Sequence, residues 1–149
     1  IKMKKIKKKA NWEILFREWT EKNRSTKFAW GSWDCVIFSN DLIKTITGTS
    51  LLPKDWKTWK TEEEANKAIE KLGKKKGLAE GVSNASKKLD GIYEVKPDYV
   101  QKGDLVVYAD EDKNNLVGIY DGLAVLAPSS VDGLTVRNDF EILRVWRID

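Results

Sequence analysis

Cys35, the single cysteine of this 149-residue chain, is the side chain whose type and position best suit nucleophilic chemistry. It follows Asp34, and the apolar residues after it recur at helical spacing. We therefore expect Cys35 in the first turn of a helix, with Asp34 as its N-cap. The free backbone N–H groups and the dipole at a helix start favour a thiolate, and they can also hold an oxyanion. The alternative for Cys35 is a small apolar side chain buried on the inner face of that helix.

The loop before the cysteine contains residues suited to a binding cleft. Gly31 allows the backbone to turn tightly, and Trp30 and Trp33 are placed to wall a cleft beside the thiol. Trp56 and Trp59, farther along, also suit stacking on a sugar or a peptide. In a chain with seven tryptophans, however, packing is the commoner use of such residues, and we expect it for this pair.

The chain contains no histidine. An ordinary Cys-His hydrolase uses an imidazole to take the proton of its thiol, and the familiar zinc patterns combine cysteine with histidine, so both classes are excluded. A single cysteine also excludes an intramolecular disulfide. We therefore expect no metal and no cofactor.

Helical patterns occupy the first part of the chain, and short apolar runs separated by turn residues occupy the rest. Helices are predicted at residues 11–22, 35–47, 61–72 and 78–89. Strands are predicted at residues 92–95, 105–109, 116–120, 124–127, 134–136 and 142–148. Turn signals between the runs suggest that consecutive strands are antiparallel neighbours. The pattern predicts an α+β fold, with N-terminal helices followed by a small antiparallel sheet or partial barrel.

Much of the net charge of +4 lies in a lysine-rich segment at the N-terminus. We expect residues 1–10 to form a flexible basic tail, either solvated or in contact with nucleic acid, an anionic surface or an acidic partner. Residues 11–149 are expected to form one domain, in which the charges nearly balance, unlike in a basic nucleic-acid-binding domain. No apolar run follows the lysines as in a signal peptide, and no stretch is suited to span a membrane.

Several segments occur in an order that resembles a known family. The chain carries Trp30-Gly31 with Asp34-Cys35, then an apolar helix ending in Thr47-Gly48, then Gly103-Asp104-Leu105-Val106-Val107, and then Val117-Gly118-Ile119-Tyr120-Asp121-Gly122. These segments resemble the NlpC-type papain-like cell-wall cysteine peptidases. Residues 28–48 and the final Val145-Trp146-Arg147-Ile148 are similar to a phage-encoded branch of that superfamily, found in tailed phages and their prophage remnants. The resemblance covers residues 11–149 and implies one papain-like domain.

The resemblance also implies where a catalytic base is missing. In working members a histidine directly precedes the Val-Gly-Ile-Tyr segment, and a polar residue on the next strand orients it. The matching positions here are Leu116 for the base and Pro128 or Ser129 for the orienting residue. Leucine accepts no proton, and general-base assistance typically contributes about 10² to 10⁴ in rate. Asp104, which follows Gly103, and the cluster at residues 110–112 suit turns better than they suit a substitute base.

We therefore expect a catalytically impaired papain-like domain that serves as a structural or binding component of a phage particle, at the tail tip or hub. Its location would be the virion, or the host cytoplasm before assembly. The alternative is an active cysteine peptidase, amidase or acyltransferase that acts on peptidoglycan through Cys35 with an unforeseen or external base. A third interpretation is a host-directed phage inhibitor that binds through its lysine tail.

Overall fold

The computed structural model describes residues 3–29, 33–52, 59–72, 77–129, 133–137 and 140–149. Four helices lie in these ranges: α1 (Trp12–Asn23), α2 (Cys35–Thr47), α3 (Glu62–Leu72) and α4 (Leu78–Ser86). The strands are β1 (Lys4–Lys5), β2 (Leu89–Asp90), β3 (Ile92–Val95), β4 (Leu105–Ala109), β5 (Asn115–Tyr120), β6 (Val125–Ser129), β7 (Gly133–Arg137) and β8 (Glu141–Ile148). The fold is α+β, as the sequence predicts.

The ends of the helices are capped in different ways. Asp34 caps α2 through its side chain, and Gly48 ends that helix in the left-handed conformation with φ +80°, a conformation that glycine adopts without strain. At the start of α3, Thr61 Oγ1 accepts a hydrogen bond from the Glu64 N–H at 3.1 Å, and the Glu64 carboxylate accepts from the Lys60 N–H at 3.0 Å. Asn11 precedes α1, but its side chain makes no capping hydrogen bond.

Six strands form one antiparallel sheet in the order β3-β8-β4-β5-β6-β7. The strands from β4 to β7 pair with their neighbours in the chain, as the short turns predict. The expectation that all consecutive strands are neighbours is wrong at β8, which lies between β3 and β4. This strand has eight residues, and its position inside the sheet lets the backbone groups on both of its edges form hydrogen bonds, with β3 on one side and β4 on the other. Strands β3 and β7 form the two edges, so the described sheet is open and is not a closed barrel.

The two faces of the sheet bury different side chains, because successive residues of a strand point to opposite faces. Leu105 and Val107 belong to the larger apolar cluster, which includes the inner faces of α1 and α2. Val106 and Tyr108 belong to a smaller cluster with Val145 and parts of β6. No helix in the described ranges combines the length and the apolar character needed to cross a membrane.

The basic N-terminal segment pairs with the domain from Lys4 onward, where the sequence predicts a flexible tail. Strand β1 pairs with β2 in parallel, and the Ile6 side chain is buried in the larger cluster. The Ile6 N–H donates to the Asp90 carbonyl at 2.8 Å, and the Lys8 N–H donates to the Asp149 carbonyl at 2.6 Å. The buried Ile6 side chain and these backbone hydrogen bonds fix the segment together, while the side chains of Lys4, Lys5 and Lys7 stay exposed.

Candidate functional site

Asp34 fixes the start of the helix that carries the cysteine. Its side chain is 1% exposed, and its Oδ1 atom accepts hydrogen bonds from the Val36 and Ile37 N–H groups at 3.1 and 3.0 Å. Its Oδ2 atom accepts from Trp59 Nε1 at 2.5 Å. The carboxylate therefore joins the start of α2 to the segment that leads into α3. The predicted N-cap role of Asp34 is confirmed, and the same carboxylate also binds Trp59 in the segment before α3.

Cys35 is the first residue of α2 and is partly buried against the larger apolar cluster. Burial is the main reason that the pKa of its thiol is raised to about 11, and the negative charge of Asp34 raises this pKa further. Backbone hydrogen bonds from Val117, from Cys35 itself and from Val36 lower the pKa, but less than burial raises it. At neutral pH the thiol is therefore almost entirely protonated.

Tyr108 is a second titratable side chain within electrostatic reach of the thiol. It is 2% exposed on β4, and its ring stacks on Phe140 with the ring centroids 5.3 Å apart. Burial raises the pKa of its phenol well above the usual range, and the charge of Cys35 raises it further. A phenol that stays protonated to high pH does not serve as a base at neutral pH, so Tyr108 does not replace the missing histidine.

The predicted cleft residues are only partly within the described structure. Trp30 and Gly31 lie outside the described residues. Trp33 stacks on Trp19 with the ring centroids 5.7 Å apart, and it meets Phe38 edge to face at the same separation. These contacts make Trp33 part of the core, and its role in walling a cleft stays a prediction.

Leu116 and Ser129 occupy the positions that the resemblance assigns to the base and its orienting residue. Leu116 stands directly opposite Tyr108 on the β4–β5 ladder and packs with the smaller cluster. The next residue, Val117, provides the backbone hydrogen bond to Cys35. Ser129 ends β6, where its carbonyl accepts from the Phe28 N–H at 3.0 Å, and it is not among the groups that shift the pKa of the thiol. The two assigned roles stay predictions.

The sequence did not predict two of the contacts at this site. Trp59 was expected only to pack, yet its indole N–H donates a hydrogen bond to the buried carboxylate of Asp34, which lies 25 residues earlier in the sequence. Val117 contacts Cys35 through its backbone, which a side-chain pattern does not reveal. In the described ranges, no three Asp, Glu or Cys side chains gather in a way that could hold a metal ion.

A family model described as a domain of unknown function, DUF6950, matches residues 7–148. No curated protein matches the chain. The matched range begins at Lys7, inside the N-terminal segment that packs on the domain, and it contains all four helices and the whole six-stranded sheet.

Proposed function

This chain belongs to the DUF6950 family of domains of unknown function, and we propose that it is a catalytically impaired papain-like domain serving as a structural or binding component of a phage particle. One observation carries the proposal. Cys35, to which the resemblance assigns the nucleophile position, begins α2, and burial together with the charge of Asp34 raises the pKa of its thiol more than the backbone N–H groups lower it. The chain has no imidazole to offset the burial and the carboxylate.

The architecture supports the papain-like part of this proposal. The helix that begins with Cys35 packs against β5 and β6 of an antiparallel sheet, and β5 carries the Val117-Gly118-Ile119-Tyr120 segment on which the resemblance rests. Val117 acts on the cysteine through its backbone, and Leu116 precedes it on β5, although the Leu116 side chain packs with the smaller cluster on the other face of the sheet. The phage and tail assignment rests on the sequence resemblance alone.

The location is tested by mass spectrometry of gradient-purified particles from a phage that encodes this chain. We expect the protein in intact particles and in isolated tails. A protein confined to the lysate and missing from purified particles would contradict the structural role. It would favour the host-directed interpretation.

The loss of catalysis is tested in the same phage with Cys35→Ser. Because the thiol is not expected to take part in chemistry, the variant should assemble and infect like the wild type. A variant that assembles normally but loses infectivity would show that the thiol itself is needed. Asp41→Asn is a suitable control, because Asp41 lies on the exposed side of the same helix.

A second candidate function keeps catalysis, and the backbone N–H groups around the sulfur favour it. The hydrogen bonds from Cys35, Val36 and Val117 all stabilise the thiolate, and N–H groups at a helix start can hold an oxyanion. A peptidase or amidase acting on peptidoglycan would then take its base from the substrate or from a partner protein.

Iodoacetamide labelling followed across pH separates the two functions. With one cysteine in the chain, all thiol labelling reports on Cys35. The impaired domain should label with an apparent midpoint well above the ordinary thiol pKa of about 8.5, whereas an active nucleophile should label with a midpoint below it. Cys35→Ala provides the background rate.

A further inference from the structure

An apolar cavity lies beside the cysteine, between α2, α3, α4 and the strands β4 and β5. Its volume is about 50 Å³, and its lining includes Ile43, Trp59, Val82, Ala85, Leu105 and Val117. The lining also includes Val36, which directly follows Cys35 in α2, and Val117, whose backbone lowers the pKa of the thiol. The cavity is therefore next to the candidate site.

One polar group in the described part of the lining lacks a hydrogen-bond partner. Ser39 is 3% exposed, and its buried hydroxyl makes no hydrogen bond. It lies one helical turn after Cys35, on the same face of α2. The neighbouring Asn40 also lines the cavity, but its amide is engaged with Ser50 and with the Leu51 N–H. Buried hydroxyls in folded proteins are normally paired, so an unpaired one calls for an explanation.

Water does not explain this hydroxyl well. A buried water molecule typically makes about three hydrogen bonds, and the described lining offers it one free group. A volume near 50 Å³ accommodates about four non-hydrogen atoms, since about 10–15 Å³ of such volume holds one water-sized sphere.

We propose that this cavity binds a small aliphatic group with one hydrogen-bonding atom, which pairs with the Ser39 hydroxyl. The apolar walls bury the hydrocarbon part, and the hydroxyl fixes its polar end one helical turn from Cys35. The proposal adds a ligand class to the molecule and does not depend on the phage assignment or on the reactivity of the thiol.

The probe for this site is 1-propanol, which has four non-hydrogen atoms, and the apolar control is xenon. Methyl NMR signals of Ile43, Val82, Leu105 and Val117 should shift in a saturable manner with either probe. Ser39→Ala should weaken 1-propanol binding about fivefold, the effect of one net hydrogen bond, and leave xenon binding unchanged. This variant should fold, because it removes an unpaired buried polar group.

Filling the cavity provides the second arm of the test. Ala85→Leu should abolish the response to both probes, and Ala85→Val is the milder variant if leucine prevents folding. Val136→Leu is the matched control, because Val136 is 57% exposed and lies outside the lining. Shifts that do not saturate, or shifts that persist in the filled variants, would overturn the proposal. Equal 1-propanol affinity in the wild type and in Ser39→Ala would do the same.

Discussion

The buried carboxylate of Asp34 gives a quantitative test of how the site is built. Asn at this position keeps one oxygen, which can accept from the Val36 and Ile37 N–H groups or from Trp59 Nε1, but not from both sides. In the first orientation the amide NH₂ faces the indole N–H, so two donors meet and Trp59 loses its acceptor. In the second orientation the helix loses its cap. A hydrogen bond to a charged group contributes about 1.5–3 kcal/mol, and an N-cap about 0.5–2 kcal/mol. We therefore expect Asp34→Asn to cost about 2 kcal/mol.

Urea unfolding followed by tryptophan fluorescence at neutral pH measures this cost. In a chain of this size, about 2 kcal/mol corresponds to a fall in Tm of about 4–8 °C. Trp59→Phe removes the indole N–H, so in that background Asp34→Asn no longer leaves an unpaired donor. The double-mutant cycle should show a coupling free energy of about 1.5 kcal/mol or more.

The matched control is a second aspartate–tryptophan pair on the same helix. Asp41 accepts from Trp19 Nε1 at 2.8 Å, but Asp41 is exposed and does not cap the helix, so the oxygen of an asparagine there can still accept from Trp19. Asp41→Asn should cost less than about 1 kcal/mol. Additive effects of the Asp34 and Trp59 substitutions, or equal costs at positions 34 and 41, would refute the reasoning. The Cys35 thiol should also label at lower pH in Asp34→Asn, because the charge of Asp34 raises its pKa.

Three further predictions concern other parts of the molecule. The raised pKa of Cys35 means that the folded state keeps a proton that the unfolded state loses, so stability falls as pH rises from about 8.5 to about 11. Over that range the wild type should lose about 2–3 kcal/mol more than Cys35→Ala in urea unfolding, and parallel curves would contradict the assigned burial. Asp104→Ala should lower the free energy of unfolding by about 3 kcal/mol in the same assay. The buried Asp104 carboxylate accepts from Arg147 at 2.9 Å, and the substitution leaves the guanidinium without this partner. A loss below about 1 kcal/mol would disprove this. Ile6→Ala should cost about 3 kcal/mol and Met3→Ala almost nothing, and equal small effects would restore the flexible tail.

The elements of the fold were predictable because their signals are local. Asp34 and Gly48 mark the two ends of α2, and each acts on backbone groups within four residues. The strands from β4 to β7 follow from apolar runs separated by short turns, and each predicted run lies within two residues of an observed strand. Most of the secondary structure could therefore be predicted from local hydrogen-bonding residues and from side-chain periodicity.

Contacts between distant parts of the chain were not predictable in this way. The pairing of β8 between β3 and β4 depends on how a long strand satisfies both of its edges, and no turn signal records it. In the N-terminal segment, the charge pattern of the lysines hid the burial of Ile6. Asp104 was expected as a turn residue, and its N–H does bond the Gln101 carbonyl at 3.0 Å, but its buried pairing with Arg147 joins residues 43 apart.

The candidate site shows a conflict between folding and reactivity at one carboxylate. Asp34 stabilises the start of α2 and holds Trp59, and the same negative charge disfavours the thiolate next to it. A neighbouring imidazolium would offset that charge, but the chain contains no histidine to provide one. Removing Asp34 would lower the pKa of the thiol but would also remove the N-cap of α2. Among the described residues no positive side chain lowers the pKa of the thiol, so a labelling midpoint below about 8.5, for the chain alone or with a partner or substrate, would restore the enzymatic interpretation.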